Sequence, residues 1–246
     1  IISGINFMAG KAHALKLIQT GDGSFSLYHE GLDETYHSRH GAIAESKHVF
    51  IDQGLTHRLK IKSTRHLSIL EMGFGTGLNA LLTLLYLQDD LQEQFEFENK
   101  NISFSVNYDA LEAFPLTPDH YQTLDYAKHL NSPDALFRKL HEVPWDLPNE
   151  ISKGFTLFKQ NRHFEDFVAD QAYDLVYYDA FGARVQPELW EIERFLALYK
   201  ALRPHGVLVT YAAKGSVRRA LQEVGFMVER LPGPPGKREM LRGTKI

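Results

Sequence analysis

The sequence predicts an α/β fold, in which helices cover both faces of a doubly wound, mostly parallel sheet. Apolar strand-like runs alternate with helical runs from residue 66 onward, which is typical of parallel sheets. Leu67–Asn79 indicates a buried strand, a glycine-rich turn and an apolar helix in direct succession. Acidic residues end three of the apolar runs, and such sheets bind their ligands at these strand ends.

Residues 1–65 form the first of two predicted domains, an N-terminal extension packed on the core. Ala14–Gln19 and Ser24–His29 alternate in part and are separated by Thr-Gly-Asp-Gly, which predicts a β-hairpin. Apolar residues at roughly helical spacing predict a helix from about Gly41 to Leu55. We expect this hairpin and helix to form a lid or a wall that faces the substrate.

Residues 66–246 form the second predicted domain, whose last two strands make an antiparallel edge hairpin. Its predicted strands are Leu67–Met72, Ile102–Leu111, Gly154–Lys159, Tyr173–Tyr178, Gly206–Tyr211, Phe226–Leu231 and Glu239–Gly243. Its predicted helices are Leu78–Leu87, Pro118–Leu130, Pro133–His141, His163–Ala169, Pro187–Leu202 and Ser216–Val224. The acidic stretch Asp89–Asn101 is expected to be a helix end and surface loop.

Composition limits the class of protein. The absence of cysteine excludes disulfides and thiolate zinc sites. No apolar run is long enough to span a membrane, so we expect no membrane association and a cytoplasmic enzyme. The net charge is −4, yet residues 203–246 hold nine Lys/Arg against three Asp/Glu. This basic segment predicts either a phosphate-binding surface or a solvated edge.

The glycine-rich turn has the pattern E-x-G-x-G-x-G, which differs from dinucleotide and P-loop motifs. Alternate glycines let the backbone turn sharply and approach a ligand that a Cβ would block. The pattern resembles motif I of the S-adenosylmethionine (SAM) methyltransferases; the alternative is a tight turn without a ligand. The resemblance implies SAM as cofactor, contacted by Glu71, Gly73, Phe74, Gly75, Gly77 and Asn79.

Further acidic residues lie at predicted strand ends. Glu112 can accept hydrogen bonds from ribose hydroxyls, and the alternative is a solvent-exposed strand end. Asp179 follows a buried strand, and a carboxylate there must be satisfied or functional because an unpaired buried charge is costly. In the SAM methyltransferase fold, Glu165 and Asp166 lie where the adenine amino group is usually contacted. An acidic pair at a helix N-terminus is the alternative.

Five blocks between about Gly21 and Gly243 resemble one family. They are GDGSFSLYHE, ETYHSRHGAIAESKHVFI, LEMGFGTGLN, YYDAF followed by PELW, and GPPGKREML. They look like the tRNA 5-methylaminomethyl-2-thiouridine methyltransferase family, the methyltransferase half of the bifunctional MnmC protein, with a Rossmann-like sheet. Since the fused flavin-dependent oxidase half is not in this sequence, we expect a stand-alone methyltransferase. A separate flavin-dependent oxidase would then be its partner and supply the aminomethyl intermediate.

The resemblance implies methyl transfer from SAM to the amine of 5-aminomethyl-(2-thio)uridine at the wobble position of tRNA. Asp179 is the expected catalytic residue, which orients the amine and accepts its proton. Phe181 resembles the aromatic residue of the D-P-P-[FY] motif, which stacks on the target. The corresponding stretch here is DAFGA, with Ala183 where the family usually has proline.

Other candidates lie near the two ends of the chain. Lys237 and Arg238, in a Gly/Pro-rich loop, are expected to contact tRNA phosphates, and a solvated turn is the alternative. Tyr28 and Glu45 fall in the matching N-terminal blocks and are expected to face the methionine end of SAM or the target base. No metal is expected, because the spacing of the N-terminal histidines fits no standard motif.

Three competing functions remain at this point. A small-molecule amine methyltransferase, or an aminopropyltransferase that uses decarboxylated SAM, would share the fold but would not need the basic segment. A non-catalytic SAM-binding module is a different class, and Asp179 beside an aromatic residue argues against it. A nicotinamide oxidoreductase is disfavoured because the glycine pattern is wrong for it.

Overall fold

The computed structural model describes residues 15–61, 64–88 and 104–246. The strands are β1 Leu15–Gln19, β2 Phe25–His29, β3 Glu34–Thr35, β4 His66–Met72, β5 Ser105–Leu111, β6 Pro148–Ser152, β7 Phe155–Gln160, β8 Tyr173–Tyr178, β9 Leu202–Thr210, β10 Phe226–Pro232 and β11 Glu239–Lys245. The α-helices are α1 Ala42–Ser46, α2 His57–Ile61, α3 Leu78–Tyr86, α4 Pro118–Tyr121, α5 Tyr126–His129, α6 Asp134–Glu142, α7 Ile192–Ala201 and α8 Gly215–Glu223. The predicted stretch Asp89–Asn101 lies outside the described residues, as do Ala14 and Ile102.

The main sheet confirms the predicted doubly wound fold. Its eight strands have the order β10-β11-β9-β8-β4-β5-β7-β6, and the five from β9 to β7 run parallel. The predicted C-terminal hairpin is present. Its second strand, β11, lies between β9 and β10 and is antiparallel to both.

Alternating side chains of the central strands bury both faces of this sheet. In β8, Leu175 and Tyr177 point to one face, while Val176 and Tyr178 point to the other, and all four are fully buried. One face is covered by α3, α6 and the helical part of the extension. The opposite face is covered by α7 and α8. With both faces covered, ligands can reach the sheet only at its strand ends.

The extension contains the predicted hairpin and a helix longer than predicted. β1 and β2 pair antiparallel, and the short β3 adds a third strand. One continuous helical run follows, made of α1, the π-helical turns Lys47–Thr56, and α2. A Cβ on Gly54 would lie 2.9 Å from a Val209 methyl carbon, so this helix lies very close to the sheet. The division of the chain into domains 1–65 and 66–246 stays a prediction.

Two predicted helices are interrupted, and a side-chain hydrogen bond lies at each interruption. Pro118–Leu130 is two short helices, because Asp125 leaves the helical conformation and its carboxylate accepts the Phe25 amide proton. Pro187–Leu202 begins as a 3₁₀ turn, Pro187–Trp190, and α7 starts only after an extended Glu191. The Trp190 indole donates to the Phe181 carbonyl and so pulls this turn toward the loop after β8.

Strands β3 and β6 were missed by the sequence analysis. β3 has only two residues, and β6 begins with proline and contains mostly polar residues, so neither shows a period-2 pattern. The predicted helix His163–Ala169 is reduced to a single 3₁₀ turn, Phe164–Asp166.

Candidate functional site

The candidate site lies at the carboxyl ends of β4, β5 and β8, where backbone hydrogen bonds join three loops. The amides of Gly73 and Phe74 both donate to the Leu111 carbonyl at the end of β5. The Asp179 amide donates to the Met72 carbonyl at the end of β4, over 3.0 Å. The glycine turn therefore lies directly between the segments that carry Glu112 and Asp179.

The glycine turn depends on backbone conformations that disfavour other residues. Gly73, Gly75 and Gly77 have φ values of +100°, +47° and +72°. A Cβ on Gly73 would lie 2.8 Å from the Asp179 carbonyl oxygen, and a Cβ on Gly75 would lie 3.2 Å from the Tyr36 ring. Gly77 caps the N-terminus of α3 in the left-handed conformation. The three glycines thus leave a turn without side chains at the end of β4.

Asn79, in the first turn of α3, bridges two carboxyl groups. Its side-chain Nδ2 donates to Glu71 Oε1 and to Asp179 Oδ2, both over 2.8 Å. Its Oδ1 is buried and has no hydrogen-bond partner among the described residues. Glu71 is fully buried, so it holds Asn79 in place from beneath the site.

The two carboxyl groups have unusual protonation properties. Burial raises the pKa of the Asp179 carboxyl to about 7, and the nearby Glu45 carboxylate adds to the rise. Burial also raises the pKa of Glu71 well above its usual range. Asp179 is therefore poised to gain or lose a proton near neutral pH, which suits a general base.

The Glu112 carboxylate is held by the backbone around it. Its Oε2 accepts the Gly75 amide proton over 3.0 Å, and its Oε1 accepts the Phe114 amide proton over 2.9 Å. Burial raises the pKa of Glu112, and these hydrogen bonds oppose the rise. Asp166 lies apart from these groups, exposed in the 3₁₀ turn whose Phe164 ring approaches Gly73.

Phe181, in the loop after β8, is half-buried among aromatic rings. The Tyr36 ring meets it edge-on at 5.0 Å between centroids. Two hydrogen bonds fix the backbone of its loop: Trp190 Nε1 donates to the Phe181 carbonyl and the Tyr211 hydroxyl donates to the Ala180 carbonyl, both over 2.8 Å. This loop is held in place without the proline that the family usually has at the position of Ala183.

Glu45 and Lys237 meet next to this loop as an ion pair. Lys237 Nζ donates to Glu45 Oε1 over 2.5 Å and lies 3.8 Å from the centroid of the Tyr211 ring. The second carboxylate oxygen of Glu45 accepts the Ser38 amide proton over 2.7 Å. Glu45 is buried, so its charge requires this partner.

A cavity of about 570 Å³ opens beside the loop after β8. Its walls carry five cationic side chains and two carboxylates. The cations are Arg184, Lys214, Arg230, Lys237 and Arg238, and the carboxylates are Glu34 and Glu239. Arg238 thus lies where the sequence predicted a phosphate contact, whereas the Lys237 ammonium is already paired with Glu45.

Two other predicted site residues, Tyr28 and Phe74, do not line this cavity. The Tyr28 hydroxyl donates to Asp33 Oδ1, and the Arg39 guanidinium lies over its ring. Phe74 is buried, with its ring against His141 and Trp145. Phe74 therefore supports the glycine turn by packing into the core.

The sequence analysis missed two residues near the site, although both carried a signal. Tyr211 directly follows a central parallel strand, the position where such sheets place ligand contacts. Lys159 alternates with Phe155 and Leu157 on the buried face of β7, and it is fully buried itself. Its Nζ donates to the His141 carbonyl over 2.6 Å, and burial lowers its pKa to about 8.

Within residues 15–61, 64–88 and 104–246, no group of three or more His, Asp or Glu side chains is arranged to hold a metal ion. The N-terminal histidines are engaged separately; for example, His37 Nε2 bonds with Thr76 Oγ1 and His48 Nε2 with the Pro232 carbonyl. The absence of a metal stays a prediction. No helix in the same part of the chain has the length and apolar character to cross a bilayer.

Comparisons with known proteins agree with this geometry. Residues 162–246 match a family model described as S-adenosyl-L-methionine-dependent methyltransferase. A Burkholderia multivorans protein, tRNA 5-methylaminomethyl-2-thiouridine biosynthesis bifunctional protein MnmC, is 31% identical over 238 residues. The match covers 85% of this chain and 32% of that protein. The chain spans about a third of the length of such curated relatives.

Two solved structures are similar in fold. The crystal structure of MnmC2 from Aquifex aeolicus has a TM-score of 0.70 and 25% identity, and the match covers 95% of this chain and 71% of that one. A probable spermidine synthase from Corynebacterium glutamicum has a TM-score of 0.51 and 15% identity, covering 96% of this chain and 78% of that one. The second likeness shows the fold alone.

Proposed function

We propose that this chain, which belongs to the S-adenosyl-L-methionine-dependent methyltransferases, methylates the 5-aminomethyl group of (2-thio)uridine at the wobble position of tRNA. The product is 5-methylaminomethyl-(2-thio)uridine. The proposal rests mainly on one observation: burial raises the pKa of the Asp179 carboxyl to about 7, and the loop that carries Asp179 and Phe181 continues into residues 182–184, which line a cationic cavity. The names of the MnmC relatives support the choice of tRNA.

The residues at the glycine turn fit the cofactor. The three glycines leave room for a ligand at the end of β4, which a Cβ would fill. The buried Asn79 Oδ1 is without a partner among the described residues and can accept a hydrogen bond from a bound donor. Glu112, at the end of β5, keeps lone pairs for ribose hydroxyls. We propose that these residues hold SAM, with Glu71 acting through Asn79 and Asp166 near the adenine.

When bound, SAM supplies a methyl group on a sulfonium sulfur, so the sulfur keeps the C–S electron pair as the amine nitrogen forms the new C–N bond. Asp179 orients the neutral amine by accepting a hydrogen bond from one of its N–H groups, and it then accepts the proton that the amine loses. Asn79 holds the Asp179 carboxylate from the side, so the base does not rotate away. Phe181 stacks on the uracil ring and shields it from water.

The cationic cavity is the proposed entrance for the RNA. Arg238 and Lys214 line it, and their guanidinium and ammonium groups suit phosphate oxygens, whereas Arg184 is paired with Glu34. In this proposal a flavin-dependent oxidase in the same compartment, the cytoplasm, supplies the 5-aminomethyl intermediate.

The test is methyl transfer from labelled SAM to tRNA that carries 5-aminomethyluridine, with unmodified tRNA as the control substrate. We expect label on the aminomethylated tRNA alone. We expect Asp179→Asn to lower the rate about 100-fold or more, because it removes the base. SAM binding, measured by calorimetry, should persist in this variant. Label on neither RNA, or equal label on both, would contradict the proposal.

An aminopropyltransferase is the second candidate, since the chain also shares the fold of a spermidine synthase. The same assay with decarboxylated SAM and small polyamines distinguishes the two. The cavity argues against a polyamine substrate, because its walls carry five cationic side chains against two carboxylates and would repel a polycation.

A further inference from the structure

We propose that Lys237, through its ion pair with Glu45, is a positioning residue that holds the loop carrying Asp179 and sets the charge around that carboxylate. The inference rests on the proposed function and refines it. The sequence analysis assigned Lys237 to tRNA phosphate. The structure instead directs its ammonium inward, to a buried carboxylate and an aromatic ring.

The contacts of Lys237 join three separate parts of the chain. Glu45 belongs to the N-terminal extension, and Lys237 to the loop between β10 and β11. Tyr211 follows β9, and its ring lies beneath the Lys237 ammonium. Its hydroxyl group donates a hydrogen bond to the Ala180 carbonyl. Ala180, the residue next to Asp179, is therefore held by Tyr211, whose ring contacts the Lys237 ammonium.

Glu45 also connects the ion pair to the aromatic rings around Phe181. It accepts the Ser38 amide proton over 2.7 Å, which fixes the segment after Tyr36. The Tyr36 ring contacts Phe181 and lies over Gly75. Loss of the ion pair would leave a buried carboxylate without its cation at this junction, a costly state.

Lys237 is also a cation that acts on Asp179. The charged groups that act on the Asp179 carboxyl are Glu45 of α1 and Lys237. Asp179 in turn raises the pKa values of three neighbouring groups, Glu71 of β4, Tyr108 of β5 and Tyr211 after β9. Glu45 raises the pKa of Asp179 and Lys237 lowers it. The ion pair therefore places a group that raises the Asp179 pKa next to one that lowers it.

Phosphate binding would require Lys237 to give up these contacts. A phosphate would have to replace a charge-assisted hydrogen bond of 2.5 Å to a buried carboxylate. Arg238, the next residue, lines the cavity and forms no ion pair with any residue that the structure describes, so it is the better phosphate ligand.

The first measurement compares the full chain with four variants: Lys237→Met, Glu45→Gln, the double variant, and Arg238→Met for contrast. Carbon-13 NMR of the aspartate carboxyls gives the Asp179 pKa without substrate, with Asp179→Asn for assignment. We expect Lys237→Met to raise this pKa by at least about half a unit and Glu45→Gln to lower it. The double variant should return it toward the wild-type value, and Arg238→Met should leave it unchanged.

Kinetics provide the second readout. Lys237→Met should lower kcat and move the acidic limb of the plot of kcat against pH to higher pH. The KM for tRNA and the salt dependence of that KM should change little. Lys237→Arg should restore the limb, because it keeps the charge. Arg238→Met should instead weaken the salt dependence of KM.

Opposite results would overturn the inference. If Lys237→Met leaves the Asp179 pKa and the acidic limb unchanged and alters the salt dependence of KM as Arg238→Met does, Lys237 is a phosphate contact. If Lys237→Met does not fold, Glu45→Gln, which keeps the side-chain size, decides through the Asp179 pKa. A wild-type chain that methylates no tRNA contradicts the proposed function alone, since the NMR result does not depend on RNA.

Discussion

At the scale of single residues, the protonation of Asp179 is the property on which the site depends. Its carboxyl is held by Asn79 on one side and influenced by Glu45 and Lys237 on the other. Such a carboxyl ionises near pH 7 rather than near its ordinary pKa of 3.8. Two measurable consequences follow, one for activity and one for stability.

The rate of methyl transfer should fall as the pH drops below about 7, because protonated Asp179 can no longer accept the amine proton. The measurement is kcat against pH, from pH 5.5 to 9, on aminomethylated tRNA. A parallel measurement of SAM binding over the same range separates loss of the base from loss of the cofactor. A flat profile between pH 6 and 8 would contradict the assignment of Asp179 as the base.

The same carboxyl should make the fold less stable as the pH rises. Its pKa is raised in the folded state, so folding favours its protonated form. Its stabilising contribution is full below pH 3.8 and is lost as the pH rises through about 7. Asp179→Asn should therefore raise Tm relative to wild type more at pH 8 than at pH 5. An equal difference at both pH values would show that the Asp179 pKa is not raised.

At the scale of elements, the strand, turn and helix from β4 to α3 form the best-determined unit of the site. Its conformation follows from local sequence: an apolar strand, three glycines with positive φ and an apolar helix. This is why the glycine turn and its place at a strand end were predicted correctly from the sequence.

Gly73→Ala tests the importance of that turn. A side chain at φ +100° is strained, and its Cβ would lie 2.8 Å from the Asp179 carbonyl oxygen. We expect a loss of about 1–3 kcal/mol in the free energy of unfolding and weaker SAM binding. Gly215→Ala is the matched control, since its nearest contact is the flexible end of Arg219. Chemical denaturation and calorimetry measure both effects, and equal behaviour of the two variants would contradict the prediction.

Contacts between distant segments were beyond sequence reasoning. Asn79 and Asp179 are 100 positions apart, and Glu45 and Lys237 are 192 apart. Periodicity and turn signals describe each segment separately, whereas such pairs depend on how the segments pack. The break in the predicted helix Pro118–Leu130 is of the same kind, because Asp125 there bonds with Phe25, 100 positions away. The inward orientation of Lys237 was missed for the same reason.

At the scale of the whole molecule, charge separates the cavity from the rest of the surface. The chain carries a net charge of −4, yet five cationic side chains line one cavity. Arg238→Ala and Lys214→Ala should each weaken tRNA binding and reduce the slope of log K against log salt by about 1. Lys128→Ala, an exposed lysine that does not line the cavity, is the control. Filter binding at several salt concentrations measures the slopes, and equal slopes for all three variants would argue against this surface.

A buried ion-pair network joins the extension to the sheet. Asp174 of β8 accepts hydrogen bonds from Arg58 of α2 and Arg203 of β9, over 2.9 and 2.7 Å. Asp174→Ala removes a carboxylate from beside the buried Arg58, so we expect a loss of about 3–5 kcal/mol in the free energy of unfolding. Asp134→Ala, which breaks an exposed pair with Arg138, should cost less than about 1 kcal/mol. Urea unfolding measures both, and similar losses would contradict the prediction.

The place of β11 in the sheet also has a consequence for folding on the ribosome. β11 spans residues 239–245 and pairs on one side with β9 and on the other with β10. Until those residues have left the exit tunnel, β9 has no partner on its outer side, and its apolar Val207–Val209 segment presents an open edge. Such an edge can recruit strands from other nascent chains. We therefore expect newly made copies of this protein to be prone to aggregation until β11 inserts.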